Sequence, residues 1–97
     1  MKNFAGKWKS ADGYEYEIFQ NGDDIVVLGK KDGNVMNVGH GKVYGNKAVI
    51  TWWNVTKNPN ESASHVILVE LDSSGDRTNV VCGISGQEKS FGNWGRI

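Results

Sequence analysis

The chain has 97 residues, enough for one domain with a single hydrophobic core. Its 11 lysine and arginine residues balance its 11 aspartate and glutamate residues, which argues against a nucleic-acid partner and against adhesion to anionic lipid. No apolar run approaches the roughly 20 residues of a membrane-spanning helix. Thirteen glycines and one proline, together with β-branched and aromatic runs, indicate β-strands joined by tight turns.

Eight β-strands are predicted, with glycine in nearly every connection. Asn21-Gly22 is the clearest two-residue hairpin turn, and Gly39 and Gly41 indicate a bulge or bend in the fourth strand. No stretch sustains a 3.6-residue apolar period, so little or no helix is expected. Sequential hairpins with an even strand number favour one all-β domain over residues 1–97, an eight-stranded antiparallel up-and-down β-barrel, over a Greek-key sandwich. The predicted strands are residues 4–10, 14–20, 24–30, 35–44, 47–55, 65–72, 77–84 and 90–97.

The second predicted strand has the most regular alternation in the chain. Tyr14, Tyr16 and Ile18 share one face, whereas Glu15 and Glu17 share the other. Burying an unpaired carboxylate is costly. The apolar face is therefore predicted to point into the barrel and the glutamate face towards solvent.

Aromatic residues are the candidate ligand-binding groups. Trp52 and Trp53 are consecutive, so one points into the barrel and the other outwards, and the alternation alone does not decide which. Together with Tyr14, Tyr16 and Trp94, the inward tryptophan is predicted to line an aromatic pocket. The alternative is that the inward ring only fills the core and the outward ring lies at an interface.

No catalytic group, metal site or cofactor is predicted. His40 and His65 have no second ligand at metal-binding spacing. Asp23 and Asp24 lie at a hairpin tip, without the spacing of a calcium loop. No Gly-x-Ser-x-Gly motif supports a hydrolase nucleophile. The protein is therefore not expected to be an enzyme.

The cellular compartment is left open by the sequence. Cys82 is the single cysteine and excludes an internal disulfide, so redox chemistry does not fix the compartment. Met1-Lys2-Asn3 leads directly into the first predicted strand, with no signal peptide. The expectation is a cytoplasmic protein, or a periplasmic or secreted one whose leader has been removed.

Both chain ends carry residues that resemble the calycins, the lipocalin and avidin-like barrels. Gly6-Lys7-Trp8 is similar to their Gly-x-Trp motif, and Arg96 matches a basic residue of the last strand. The resemblance implies that the last strand closes against the first and that the Arg96 cation lies over the Trp8 ring. Gly6, Trp8 and Arg96 are the closure residues of this interpretation.

A second resemblance, to the avidin branch, rests on Gly6-Lys7-Trp8, residues 50–53 and the strand at 66–72. It implies that Ser10 is a polar ligand group and that Trp53 occupies one position of an aromatic box. Residues 78–84 contain no tryptophan, so that box is incomplete. The chain is also similar to compact bacterial lipocalin-like proteins.

The leading functional hypothesis is a non-catalytic binding protein that holds a small apolar or aromatic ligand in the barrel mouth. One alternative is a carbohydrate-binding module. Another is an interaction or inhibitor protein on a filled barrel scaffold. An empty lumen would favour the first hypothesis, and a filled one with a surface tryptophan would favour the others.

A homo-oligomer is also predicted. Residues 49–55, 66–71 and 80–84 are apolar at both alternating positions, so a closed barrel hides only one set. The other set would form a large exposed apolar patch. A symmetric dimer or tetramer would cover it.

Overall fold

The computed structural model describes residues 3–55, 64–82 and 93–97. These residues form eight β-strands, which confirms the predicted all-β, antiparallel, up-and-down barrel, nearly closed. The sheet order is β7-β6-β5-β4-β3-β2-β1-β8. In this part of the chain no helix is long and apolar enough to cross a membrane. The strands are β1 Gly6–Ser10, β2 Glu15–Asn21, β3 Asp24–Lys31, β4 Asn34–Tyr44, β5 Lys47–Asn54, β6 Ser64–Leu71, β7 Thr78–Cys82 and β8 Trp94–Arg96.

The predicted boundaries of the middle strands are accurate. The bounds of β2 to β6 lie within one residue of the predicted ones, because alternation and turn residues mark both ends of these hairpins. Within the described residues, β7 begins at Thr78, one residue later than predicted, and β8 leaves out Asn93 and Ile97 of the predicted strand. The predicted loop at 56–64 lies outside the described residues except for Ser64, which begins β6. The predicted strand residues 83–84 and 90–92 also lie outside them.

The first strand begins later than predicted. Gly6 has a φ of 131°, a conformation that glycine adopts readily, and β1 starts only there. Phe4 therefore lies in the segment before β1 and not in the strand itself. It is fully buried, and its carbonyl oxygen accepts a hydrogen bond of 2.8 Å from the Trp8 indole nitrogen. The segment before β1 thus folds over one end of the core.

The predicted inward face of β2 is confirmed at two positions. Tyr16 and Ile18 are buried, Glu15 is exposed, and Glu17 is half-buried beside Lys30 at 3.6 Å. Tyr14 lies just before β2 and is half-buried. Alternation of this kind fills the barrel with side chains from every strand. The apolar core consists of Phe4, Trp8, Tyr16, Ile18, Ile25, Val27, Val43, Ala48, Ile50, Trp52, Ile67, Val69, Leu71 and Trp94.

Arg96 closes one end of the barrel, here called the Arg96 end. The strand β8 pairs with β1, and Trp8 is directly opposite Arg96 in that register. The guanidinium carbon lies 4.2 Å from the centroid of the Trp8 ring, so the predicted cation–π contact is present. The group also donates hydrogen bonds to three carbonyl oxygens, those of Asn3, Ala5 and Gly75, and pairs with Asp76 at 3.4 Å.

Gly6 gives the guanidinium the space that it occupies. A methyl group on Gly6 would lie 2.9 Å from Nη1 of Arg96, closer than side-chain carbons pack. The positive φ of Gly6 would also strain any other residue. The three predicted closure residues, Gly6, Trp8 and Arg96, therefore lie together.

The seam between β7 and β8 depends mainly on side chains. Among the described residues of this seam, one isolated backbone bridge joins Arg77 to Gly95. Beyond it, the Trp94 amide donates to Oγ1 of Thr78, and the Val80 amide donates to Oδ1 of Asn93, each at 2.9 Å. Side-chain oxygens thus accept hydrogen bonds that a regular strand pair would supply from its backbone.

Candidate ligand-binding site

Three aromatic rings stack at the opposite end of the barrel, here called the Tyr14 end. The centroids of Tyr14 and Tyr16 are 6.3 Å apart, and those of Tyr16 and Trp94 are 4.6 Å apart, with interplanar angles of 26° and 25°. Tyr14 is half-buried, whereas Tyr16 and Trp94 are buried. Ser10 of β1 is paired with Trp94 and is small. Rings from β2 and β8 can therefore meet across it, in a stack that leads from the rim into the interior.

Trp52 is the inward member of the tryptophan pair. It is 5% exposed and shares the inner face of β5 with Ala48 and Ile50. Its ring lies 4.8 Å from that of His65, its partner on β6. Trp53 is on the outer face, half-buried, with its ring 5.9 Å from that of His40.

Four of the five predicted ligand-binding residues therefore lie on the inner side of the barrel, and Trp53 does not. The Trp53 position in an avidin-like aromatic box is accordingly outside the barrel. The outward direction follows from strand alternation, because Trp52 already occupies the inner face. Ser10 is buried, and its hydroxyl donates to the Asp12 carboxylate.

Asn37 is a site residue that the sequence analysis did not identify. Its side chain is on the inner face of β4 and the residue is 3% exposed. A register shift between Gly29 and Lys30 sets its position opposite Gly29. A methyl group on Gly29 would overlap the Asn37 side-chain oxygen and would come within 2.9 Å of the Tyr16 ring. Gly29 thus provides the room in which the amide is buried beside Tyr16.

The Asn37 amide nitrogen has an unused hydrogen-bonding capacity. Among the described residues, Nδ2 has no hydrogen-bond partner of normal geometry. Leaving a buried donor unsatisfied costs about 1–3 kcal/mol. This atom therefore favours any molecule that brings an acceptor to it.

Little empty space remains beside Asn37. The void beside Asn37 is small, because the centre of a water molecule can occupy only about 10 Å³ of it. This is room for roughly one water molecule. Its lining residues carry three polar side-chain groups, the Asn37 amide, the Tyr16 hydroxyl and the Trp52 indole nitrogen, and are otherwise apolar or aromatic. The void is lined by Tyr16, Val27, Asn37, Gly39, Ile50, Trp52, Ile67 and Trp94.

The electrostatics of the interior favour neutral groups. Burial raises the pKa of Tyr16 well above its ordinary value, and the charge of Asp12 acts in the same direction. The Asn37 side chain lowers that pKa as a hydrogen-bonding group beside the phenol, although its amide nitrogen and the phenol do not reach normal hydrogen-bond geometry, and burial outweighs this effect. Tyr16 is thus a neutral phenol at physiological pH. At the rim, Nζ of Lys31 lies 5.0 Å from the Tyr14 ring centroid.

His65 was detectable in principle from the sequence, whereas the sequence does not mark the face of β4 that carries Asn37. His65 has the same parity as Ile67 and Val69, both of them buried. Asn37 has the parity of Gly39, but glycine carries no side chain to show which face of the strand is inside. Counting back from the buried Val43 gives the inner face of β4.

A metal centre has no support in the described part of the chain. No group of three His, Cys, Asp or Glu side chains is close enough there to hold an ion. The polar groups that face the interior at the Tyr14 end are instead phenol, amide, indole and imidazole, with the charges of Lys31 and Asp12 nearer the rim. These groups suit hydrogen bonding and ring stacking with an organic molecule.

Comparisons with protein-family models, with curated proteins and with solved structures find no match to this chain. Any assignment to a family therefore depends on the motif residues and on the barrel geometry described above.

Proposed function

We propose that the protein is a non-catalytic binding protein for a small apolar or aromatic molecule, held at the Tyr14 end of the barrel. The barrel is closed at its other end by Arg96 and Trp8. Aromatic rings at the Tyr14 end offer stacking surfaces that reach from the rim to the interior. Such a combination of apolar walls and few polar groups is typical of small-molecule sites.

The observation that carries this proposal is the buried Asn37 amide. A core that served packing alone would be more stable with an apolar residue at this position. Gly29 accommodates the amide at a further cost in strand stability, since glycine weakens a strand. The presence of Asn37 and Gly29 together is explained if the Asn37 amide binds part of a ligand.

The small interior volume limits how far the proposed ligand can enter the barrel. A void of about 10 Å³ for water centres admits one small group and not a whole ring. The body of the ligand therefore lies nearer the rim, beside Tyr14 and Trp52, with only its tip reaching Asn37. A nearly filled lumen with Trp53 on the outer face is the outcome expected for the alternatives, a carbohydrate-binding module or an interaction protein. The buried Asn37 amide is the observation that favours ligand binding at the barrel mouth over them.

The calycin resemblance is compatible with this proposal. Arg96 over Trp8, with β8 paired to β1, is the arrangement that the resemblance implies for lipocalin-like barrels. We propose a compact lipocalin-like barrel on this basis. Because Trp53 faces outwards, the avidin-like aromatic box is not reproduced at the position that the resemblance assigned to Trp53. The ring beside the inward Trp52 is that of His65.

Native mass spectrometry of the freshly purified protein tests the binding function. The expected result is an adduct of small-molecule mass that survives gentle desolvation and is released by denaturation. Trp52→Phe should weaken retention of the adduct, and Trp53→Phe is the matched control because its ring lies on the outer face. Equal loss in both variants would contradict the proposed site. The binding function itself would be contradicted if the protein carried no adduct and bound no added aromatic compound.

A second proposed property is self-association through the outer face. Phe19, Val26 and Val66 are 51%, 49% and 57% exposed. They lie in one cross-strand row over β2 to β6, with His40 and Thr51 between Val26 and Val66. A row of this kind on a closed barrel favours contact with a second apolar surface. The homo-oligomer is proposed on this surface, called the outer row below. Of its exposed apolar members only Val66 belongs to the segments predicted for the contact, 49–55, 66–71 and 80–84.

A further inference from the structure

The chemistry of the inner tip of the ligand can be inferred from what surrounds Asn37, provided that the proposed binding function holds. The group that enters the void meets the amide nitrogen of Asn37, a donor without a partner of normal geometry in the described part of the chain. A donor of this kind is satisfied only by an acceptor. The ligand tip must therefore carry an acceptor atom.

The size of the void restricts that acceptor. Space for water centres of about 10 Å³ accommodates one atom the size of a water oxygen. A carbonyl oxygen is of this size and projects from its ring or chain. A carboxylate, with two oxygens spread apart, is larger than the space.

The charge of the residues around the void restricts the acceptor group of the ligand further. The described residues that line the void include no ionised side chain, since Tyr16 keeps its proton at physiological pH. An anion placed there would lose its hydration without gaining a cation, which is far more costly than burying a neutral carbonyl. The Lys31 ammonium is at the rim, over Tyr14, and does not line the void.

We propose that the protein selects neutral carbonyl compounds, amides, lactams or ketones on an apolar or aromatic body, and that Asn37 Nδ2 donates to the carbonyl oxygen. Tyr14, the half-buried outer ring of the stack, binds the body of such a molecule at the rim, and Tyr16 and Trp94 surround its inner tip. Asn37 is then the residue that distinguishes a carbonyl compound from a hydrocarbon of the same shape. Selectivity of this origin arises because a hydrocarbon leaves the buried donor unpaired.

NMR titration of ¹⁵N-labelled protein with three one-ring probes tests the inference. N-methyl-2-pyridone carries the carbonyl, toluene has a similar shape without it, and benzoate carries a charge. We expect N-methyl-2-pyridone to shift the side-chain NH₂ signals of Asn37 and the indole signals of Trp52 and Trp94. Toluene and benzoate should each bind at least about tenfold more weakly, the loss expected for one hydrogen bond to a buried donor.

Variants separate the amide from the surrounding rings. Asn37→Ala should lower the affinity for N-methyl-2-pyridone about tenfold and leave that for toluene unchanged or higher. Asn79→Ala is the matched control, because Asn79 is exposed on β7. If Asn37→Ala does not fold, the comparison of the three probes on the wild-type protein still decides, because it needs no variant.

The possible outcomes distinguish the two proposals. Equal binding of N-methyl-2-pyridone and toluene, or tighter binding of benzoate, would overturn carbonyl selection and leave the binding function intact. If no probe moves the indole signals of Trp52 or Trp94, the proposed function fails, and the inference fails with it. Unchanged affinity for N-methyl-2-pyridone in Asn37→Ala would also overturn the inference.

Discussion

Arg96 links three separate segments at the closed end of the barrel. Its guanidinium covers Trp8 and donates to the carbonyl oxygens of Ala5, before β1, and Gly75, between β6 and β7. We expect Arg96→Ala to lower the free energy of unfolding by about 2 kcal/mol, because the cation–π contact and several charge-assisted hydrogen bonds are lost together. Urea denaturation followed by tryptophan fluorescence measures this change.

Two control variants show whether the shape or the charge of the Arg96 side chain is responsible for this contribution to the free energy of unfolding. Arg96→Lys keeps a cation over the ring but loses the planar fork that reaches several carbonyls, so an intermediate loss of stability is expected. Lys9→Ala removes an exposed charge from neighbouring β1 and should change stability by less than about 0.5 kcal/mol. An unchanged denaturation midpoint for Arg96→Ala would show that Arg96 does not hold the end of the barrel closed.

Tyr16 is predicted to make the stability of the protein fall in alkaline solution. Burial raises the pKa of Tyr16 in the folded state, whereas the unfolded chain releases that proton near the ordinary pKa of about 10. Between these two pKa values the folded state binds more protons than the unfolded state. The free energy of unfolding is therefore full below about pH 10 and decreases as the pH rises beyond it.

Urea denaturation at a series of alkaline pH values measures this effect. Tyr16→Phe should show a weaker decrease of stability above about pH 10 than the wild type. Tyr44→Phe is the control, because Tyr44 is 64% exposed. Parallel pH profiles for the wild type and Tyr16→Phe would mean that the phenol does not stay protonated in the core.

At the level of strands, Gly41 allows β4 and β5 to pair closely. A methyl group on Gly41 would overlap the carbonyl oxygen of Val49 on β5. A backbone carbonyl in a central ladder cannot move without breaking strand hydrogen bonds, so Gly41→Ala should cost about 3 kcal/mol. Gly95→Ala is the control, since no atom lies within 4 Å of the added methyl. Thermal melting compares the two variants, and similar melting temperatures would contradict the close approach of these strands.

The strands themselves were readable from the sequence because each hairpin carries its own local signals. In β2 the glutamates mark the solvent side, so the inward direction of Tyr16 and Ile18 follows from desolvation cost alone. In β5 both Trp52 and Trp53 are large and apolar, so composition gives no direction. The inner face of β5 is set by its register with β4 and β6, a tertiary property.

The polar part of the candidate site was not predictable in the same way. The position of Asn37 opposite Gly29 depends on a register shift between Gly29 and Lys30, which changes the pairing of β3 with β4. Glycines on β4 leave the face of that strand unmarked. The aromatic residues of the site were identified because large rings are candidates for ligand contact wherever they occur.

For the whole molecule, the two ends of the barrel differ in how their polar groups are satisfied. At the Arg96 end, a charged group donates hydrogen bonds to several backbone carbonyls. At the Tyr14 end, the buried amide of Asn37 keeps an unused donor among the described residues. Polar groups that are paired stabilise a fold, whereas a buried group with spare capacity lowers stability and favours binding. Stability and the proposed binding therefore belong to opposite ends of one core.

The outer row leads to the last prediction, which concerns the assembly of the molecule. Its exposed members Phe19, Val26 and Val66 lie on the outer face of β2, β3 and β6, and the inner face of these strands packs in the core. Burying such a row against a second copy would remove apolar surface from water at roughly 25 cal/mol per Å². We therefore expect a mass in solution that is a multiple of the 10.7 kDa chain.

Light scattering coupled to size exclusion at micromolar concentration measures that mass. A double variant, Val26→Lys with Val66→Lys, should shift the protein to 10.7 kDa, because like charges placed along the row disfavour its burial. Ile97→Lys is the control, since Ile97 is equally exposed at 66% and lies outside the row. A wild-type mass of 10.7 kDa would exclude self-association under these conditions. If Ile97→Lys dissociated the protein to the same extent as the double variant, the contact between copies would lie near the chain terminus beside Arg96 and not on the outer row.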